Sequence, residues 1–308
     1  MTAQEETRNG FLVTSERKRL WMMLMEMVEK LLEVCKKHDI KIWADAGTLL
    51  GVIRHKGFIP WDDDIDLIMM REDYERLLKV APQEFKHPYF FQAVETDPYY
   101  YRGHAQLRRS DTTAILPCFI WEDFNQGVFI DIFIMDDLPS TEDQRKVAFA
   151  DMEKIRDTLN FAHVSFLSRR PLKVLHADRE IRKAGGLVNQ YHRMLEVLWN
   201  HPDKHDKEMA CVGFNTWQYP RIKMNKDYYS GTVYMPFEDI QLPVPTGYHD
   251  VLSRLYGDYM TPKEVPSMHG SIILDLERPY TEVLPELRKK APLIDKLKYS
   301  LRLKRYKP

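Results

Sequence analysis

The chain has 308 residues and a mass of 36.6 kDa, and its 45 Lys and Arg against 46 Asp and Glu leave a net charge of -1. With 44% hydrophobic and 30% charged residues it can bury a core, and it lies outside the low-apolar, high-charge composition of disordered chains. The balanced charge excludes a wholesale nucleic-acid binder, and the three scattered cysteines, Cys35, Cys118 and Cys211, exclude a disulfide framework or a C-x-x-C zinc site.

The cysteines read as buried thiols in a reducing compartment. The polar, acidic start lacks the basic and apolar regions of a secretory signal. No apolar run approaches the roughly 18 residues of a membrane span. These features predict a cytoplasmic protein.

In chain order, residues 16–37 place Leu20, Met23, Leu24, Met27, Val28, Leu31 and Cys35 at helical spacing, which predicts an amphipathic helix. IKIWADA reads as a strand, followed by a Gly47-Thr48 turn and the helical run LLGVI. A basic loop, Arg54 to Pro60, leads to WDDDIDLIMM, which reads as a strand from Asp64 onward. A helix is expected at 72–80, with Tyr74, Leu77 and Leu78 inward. Strands are expected at 88–94, 102–108 and 127–135. From about 141 to 210 the pattern is helical. Pro-, Tyr- and Gly-rich segments then read as loops or short strands, and YHDVLSRLYGDYMTP gives a short helix ending near Gly257. The last 21 residues carry nine Lys or Arg and one acid, a net +8, with Leu293, Ile294, Leu297 and Leu301 on one helical face. Such a helix either lies on an anionic membrane surface or is a solvated basic helix.

The chemistry concentrates in Asp62, Asp63, Asp64 and Asp66. On a strand, Asp64 and Asp66 face the same way with Cα atoms about 6.6 Å apart. Two such charges repel by roughly 3 kcal/mol at an effective dielectric of about 20. A metal, a nearby cation or a proton held at raised pKa must offset that. Asp131 interrupts the apolar strand GVFIDIFIM, with Phe129 and Phe133 on its face. A carboxylate there needs either a metal or an ion pair, for which Arg54 and Arg108 are candidates. Gly47 and Thr48, between strand and helix, suit an anion cradle, with a helix N-cap as the ordinary alternative. An anion cradle, a basic loop and then paired acids are the parts of metal-assisted phosphoryl transfer.

The stretch WADAGTLLGVIRHKGFIPWDDDIDLIMMREDYERL closely resembles the signature of the LicD family, which includes bacterial phosphorylcholine transferases and eukaryotic fukutin-related proteins. GVFIDIFIMD and LYGDYMTP are similar to later family segments. The resemblance implies an α+β nucleotidyltransferase-like core, a mixed β-sheet flanked by helices, over residues 16–140. A mainly helical insertion over 141–230, a completing segment over 231–287 and a basic amphipathic tail over 288–308 would follow. It implies Gly47 and Thr48 as the phosphate-binding turn and Asp64, Asp66 and Asp131 as ligands of Mg²⁺ or Mn²⁺. Asp131 is expected to take the acceptor proton, and Arg54 and Lys56 to hold the leaving phosphate. Asp62 and Asp63 are expected to shape the strand entrance. The implied donor is a CDP-alcohol, with CDP-choline favoured. The implied acceptor is a glycan or lipid-linked glycan of the cell surface, with CMP released and no nucleic acid involved. The tail would touch the inner membrane face. Rival readings are a D-x-D glycosyltransferase using a nucleotide-sugar and a non-enzymatic cation-binding or interaction protein.

Overall fold

The computed structural model describes residues 1–162, 164, 170–214, 216–263 and 272–303, the side chains of 302 and 303 excepted. A small hairpin, β1 (Glu6–Arg8) and β2 (Phe11–Val13), precedes α1 (Ser15–Lys37). The Thr14 hydroxyl starts α1 by accepting the N–H of Arg17 at 3.3 Å, and Lys36 and Lys37 complement the helix dipole at its end. The expected stripe is its buried face, joined by Trp21.

The expected strand IKIWADA contracts to β3 (Trp43–Ala44), because the chain turns at Asp45 into α2 (Ala46–His55). Then follow β4 (Asp66–Met70), α3 (Arg71–Glu84), β5 (Tyr89–Gln92), β6 (Ala105–Arg109), β7 (Thr113–Ile115) and β8 (Val128–Pro139). Helices α4 (Glu142–Ala162), α5 (Pro171–Ala184) and α6 (Leu187–Trp199) form the helical part. The helical reading fails at β9 (Lys204–Ala210), whose charged sequence becomes a strand because it docks on the far end of β8. β10 (Lys223–Asn225), the hairpin β11 (Thr232–Phe237) and β12 (Ile240–Pro245), α7 (Tyr248–Tyr256), β13 (Ile273–Asp275), α8 (Tyr280–Lys290) and α9 (Leu293–Leu303) complete the described chain.

The main sheet is mixed, so the fold is α+β. β8 is its axis: it pairs parallel with β4, antiparallel with β6 along its first half and antiparallel with β9 along its second. β3 and β5 flank β4 and β6, and β10 flanks β9. α1 packs on β6 and β8, and α3 on β4 and β8. β4 is covered on both faces, so Leu67, Ile68 and Met69 are all buried and the polar-apolar alternation stops after Asp66. The helical part has its own apolar cluster, with Met152, Leu159, Ile181, Leu195 and Leu198 at its centre.

Two polar fasteners hold the parts together. Arg71 grips buried Asp136 with two hydrogen bonds of 2.8 Å, and the Trp199 indole donates to the same carboxylate, which ties α3, β8 and α6. Glu238, in the turn between β11 and β12, pairs with Arg8 and accepts the N–H of Phe58 at 3.0 Å. That turn thereby joins β1 and the loop after α2. The cysteine reading holds for buried Cys35, whose thiol is pushed up to about 12 by burial, but Cys118 is exposed on a short 3-10 turn, where no core element covers it.

Candidate active site

The parallel ladder sets Asp66 on β4 directly opposite Asp131 on β8, so the two side chains leave the same face of the sheet. Three backbone contacts fix this corner. The Asp131 N–H donates to Ile65 O at 2.9 Å, the Asp45 N–H to Asp66 O at 3.0 Å, and the Asp66 N–H to the Thr48 hydroxyl at 2.8 Å. Asp64 lies just before β4 in a half-buried cluster with Asp62 and Asp63, whose carboxylate oxygens come within 4.8 Å of one another. Trp21 Nε1 and Arg17 Nη1 of α1 donate to the Asp62 carbonyl at 3.0 and 3.2 Å and anchor that run.

The electrostatics of the two facing aspartates are opposite. Desolvation pushes the Asp66 carboxyl well above its usual range, and the charges of Asp64, Asp131, Asp45 and Asp62 push the same way. Asp131 is also desolvated, yet its carboxyl is held below the usual range by His104, Gln106 and Arg108. Asp131 Oδ1 accepts from Gln106 Nε2 at 2.5 Å and lies 3.0 Å from His104 Nε2, which also meets the Tyr100 hydroxyl at 2.7 Å. The ion pair with Arg54 or Arg108 weighed from sequence is therefore not the contact made. Arg108 donates instead to Gln92 and Gly127 O, and Arg54 to Tyr259 O.

α2 begins beside these acids. Asp45 precedes its first turn without a side-chain cap, and Ala46 takes a φ of 44°, a left-handed conformation that a non-glycine residue holds only against a cost of about 1–2 kcal/mol. Gly47 approaches Asp62, and a Cβ there would stand 2.8 Å from Oδ2, so the Asp62 carboxylate would have to turn aside. Thr48 is buried, with its oxygen committed to the Asp66 N–H, so it acts by positioning Asp66. Burial pushes the Asp45 carboxyl up to about 6, against the partial relief of the Ala46 N–H.

Arg54 and Lys56 are not brought to this turn. They follow Gly47 by seven and nine residues, about 10 and 13 Å along a helix axis. Lys56 is exposed beyond the C-terminal end of α2. Arg54 is half-buried, and its Nε has no hydrogen-bond partner among the described residues. Tyr256 of α7 lies in electrostatic reach of Arg54 and of Asp45, Asp62 and Asp66; burial and those carboxylates push its phenol up.

Asp45, His104, Gln106 and Tyr256 are the site residues that sequence reasoning missed. Tyr256 belongs to LYGDYMTP, the only signal that pointed at it. His104 further lies against Phe133 and Phe214, ring centroids 5.2 and 5.0 Å away, and these form an aromatic wall beside Asp131. On the α1 side, a narrow apolar crevice walled by Leu20, Leu24, Phe129 and Leu274 reaches Asp63 and Asp64.

The chemistry of these carboxylates suits a hard divalent cation, but among the described residues the three whose oxygens converge within 4.8 Å are Asp62, Asp63 and Asp64, while Asp66 and Asp131 face each other beside that group rather than within it. The carbonyl oxygen of Gln106 is buried beside Asp131 with no hydrogen-bond partner among the described residues.

The family model described as "LicD/FKTN/FKRP, nucleotidyltransferase domain" matches residues 39–146. The chain is 31% identical over 238 residues to the lipopolysaccharide cholinephosphotransferase LicD of Haemophilus influenzae, covering 74% of this chain and 84% of that protein. It is also 29% identical over 118 residues to an uncharacterized protein of Rickettsia prowazekii, covering 38% of this chain and 41% of that one. A further uncharacterized protein, of Rickettsia typhi, is 42% identical over 69 residues, 22% of either chain.

Proposed function

This chain belongs to the LicD family and is a transferase of phosphorus-containing groups, and from that premise we propose that it moves phosphocholine, or a related phospho-alcohol, from a CDP-alcohol to a sugar hydroxyl of a cell-surface glycan. In that reaction the acceptor oxygen forms a bond to the alcohol-bearing phosphorus, the bond from that phosphorus to CMP breaks with its electron pair leaving on CMP, and the hydroxyl proton passes to solvent. The observation that carries the reading is the register pair of Asp66 and Asp131 beside the start of α2.

Asp64, Asp66 and Asp131 would hold Mg²⁺ or Mn²⁺, and the bound cation supplies charge neutralisation at the diphosphate. His104 and Gln106 keep Asp131 ionised and fixed in direction. The same contacts weaken Asp131 as a base, because a carboxyl held low gives up little on taking a proton. Asp131 is therefore proposed first as a ligand, with Asp66 facing it across the ladder as the second. Gly47 leaves room at the phosphate turn, and Thr48 sets Asp66 through its amide. Arg54 and Lys56, seven and nine residues beyond the phosphate turn, are proposed to meet only a part of the donor remote from that turn, Arg54 through the Nε that has no hydrogen-bond partner among the described residues. The aromatic wall of Phe133 and Phe214 suits a quaternary ammonium headgroup.

The division into a core over 16–140, a helical insertion over 141–230 and a completing segment over 231–287 is proposed on the same basis. The insertion contributes Phe214 and the completing segment Tyr256 to the surroundings of one site.

The test is a panel of CDP-choline, CDP-ethanolamine, CDP-glycerol and CDP-ribitol with Mg²⁺ or Mn²⁺, read as CMP release and melting shift. One CDP-alcohol should give both, and Asp66→Asn should lose CMP release by at least about a thousandfold. Release of UDP or GDP from a nucleotide-sugar, with every CDP-alcohol inert, overturns the proposal.

A further inference from the structure

The last helix, α9, is fastened by one face and turns the opposite face away from the protein. The Tyr299 hydroxyl donates to Asp123 at 2.6 Å and its ring lies 5.0 Å from that of Trp121. Arg288 of α8 sits 4.7 Å from the Tyr299 ring and donates to the carbonyls of Ile120 and Glu122. At 3.6 residues per turn, Leu293, Leu297, Leu301 and Ile294 span an arc of about 100° whose centre is about 190° from Tyr299. These four aliphatic side chains are between 41% and 73% exposed. Single exposed leucines are ordinary, but four on one fixed face make a patch that wants a partner.

The charge beside the patch names the partner's chemistry. Lys296 and Lys298 flank the arc at about 110° and 90° from its centre, and Lys289 and Lys290 are exposed at the end of α8. Arg302 adds to the basic count by sequence, as do Lys304, Arg305 and Lys307, which lie outside the described residues. A surface that accepts aliphatic side chains while meeting cations on both flanks is apolar below and anionic above. An anionic bilayer surface has that profile. With 11 residues, α9 spans about 16 Å, too short to cross and long enough to lie in the plane.

We propose that α9 is an interfacial membrane seat, docked through Tyr299 so that its aliphatic stripe enters an anionic leaflet. The segment that receives α9 is also a wall of the site: Phe124 packs on Tyr100 with centroids 5.6 Å apart, and the Tyr100 hydroxyl meets His104 beside Asp131. On the transferase reading, which this last step rests on, the seat holds the site near an acceptor carried on a lipid.

The test is cosedimentation of the full chain with vesicles of phosphatidylcholine, alone or with about 30% phosphatidylglycerol, at low and high salt. Binding is expected to the anionic vesicles only and to weaken with salt. Leu297→Glu and the pair Lys290→Glu with Lys298→Glu should each lower it at least about tenfold with the melting temperature unchanged. Asp66→Asn should bind vesicles as the parent does, which separates this inference from the transfer reaction. Absent binding, equal binding to neutral vesicles or full binding by Leu297→Glu overturns it. So does a dimer in solution that Leu297→Glu dissolves, since the stripe would then belong to a second copy.

Discussion

Asp66 is disfavoured by the fold as an anion, and this gives stability a definite slope with pH. Its carboxyl titrates higher in the folded chain than in the unfolded one, so across that interval the folded state holds the extra proton and stability falls as pH rises. Asp45, raised to about 6 from 3.8, adds the same sign over pH 4 to 6. In EDTA, Asp66→Asn should therefore melt like the parent near pH 4 and higher than it by pH 7.5, by on the order of 2–4 °C. Mg²⁺ should raise the parent and leave the variant unmoved. Scanning calorimetry from pH 4 to 8 reads both, and a variant that melts lower throughout would contradict the assignment. The acids were legible in the sequence because a charge inside an apolar strand is costly in any fold. His104 and Gln106 were not, since their proximity to Asp131 comes from the antiparallel register of β6 on β8, which local spacing does not encode.

α2 has ten residues, and close backbone approaches fix its placement. Gly51 faces the loop that follows, and a Cβ there would meet Gly57 O at 2.5 Å, a backbone atom that cannot rotate away. Gly51→Ala should therefore destabilise by about 2–3 kcal/mol although alanine gains about 1 kcal/mol in helix propensity. Thr48→Val leaves the Asp66 N–H without its acceptor and should cost about 1–3 kcal/mol, while Thr48→Ser should restore it. Urea unfolding of the three variants checks both statements. α1 and α3 were legible from the spacing of their apolar residues and α7 from its end at Gly257, because each buries one face only. β3 and β9 were not: one is cut short by the turn into α2, and the other is a strand only through its partner.

At the scale of the molecule, residues far apart in sequence close on the core through Glu238. It is buried, pairs with Arg8 and accepts the Phe58 N–H, and a Cβ on Gly57 would strike its carboxylate. Glu238→Gln should cost about 2 kcal/mol, below the range for fully buried pairs because Arg8 is a quarter exposed, and it should loosen β1 together with the loop after α2. Faster amide exchange at Phe58 and in β1, with α6 unchanged, is the expected pattern. The charge balance of the whole chain concealed its polarity, since a +8 tail is cancelled by the -9 of everything before it.

The parallel ladder between β4 and β8 has an arithmetic side. Facing pairs alternate above and below a sheet with a period of two, so Asp66 meets Asp131 only while the count of residues along each strand keeps its parity. Losing or gaining one residue in β8 ahead of Asp131 would present an isoleucine, Ile132 or Ile130, to Asp66 and send the acid to the far face, whereas a change of length in a loop outside the strands leaves that parity intact. Tolerance to length change at this site is thus decided by odd against even within one short ladder.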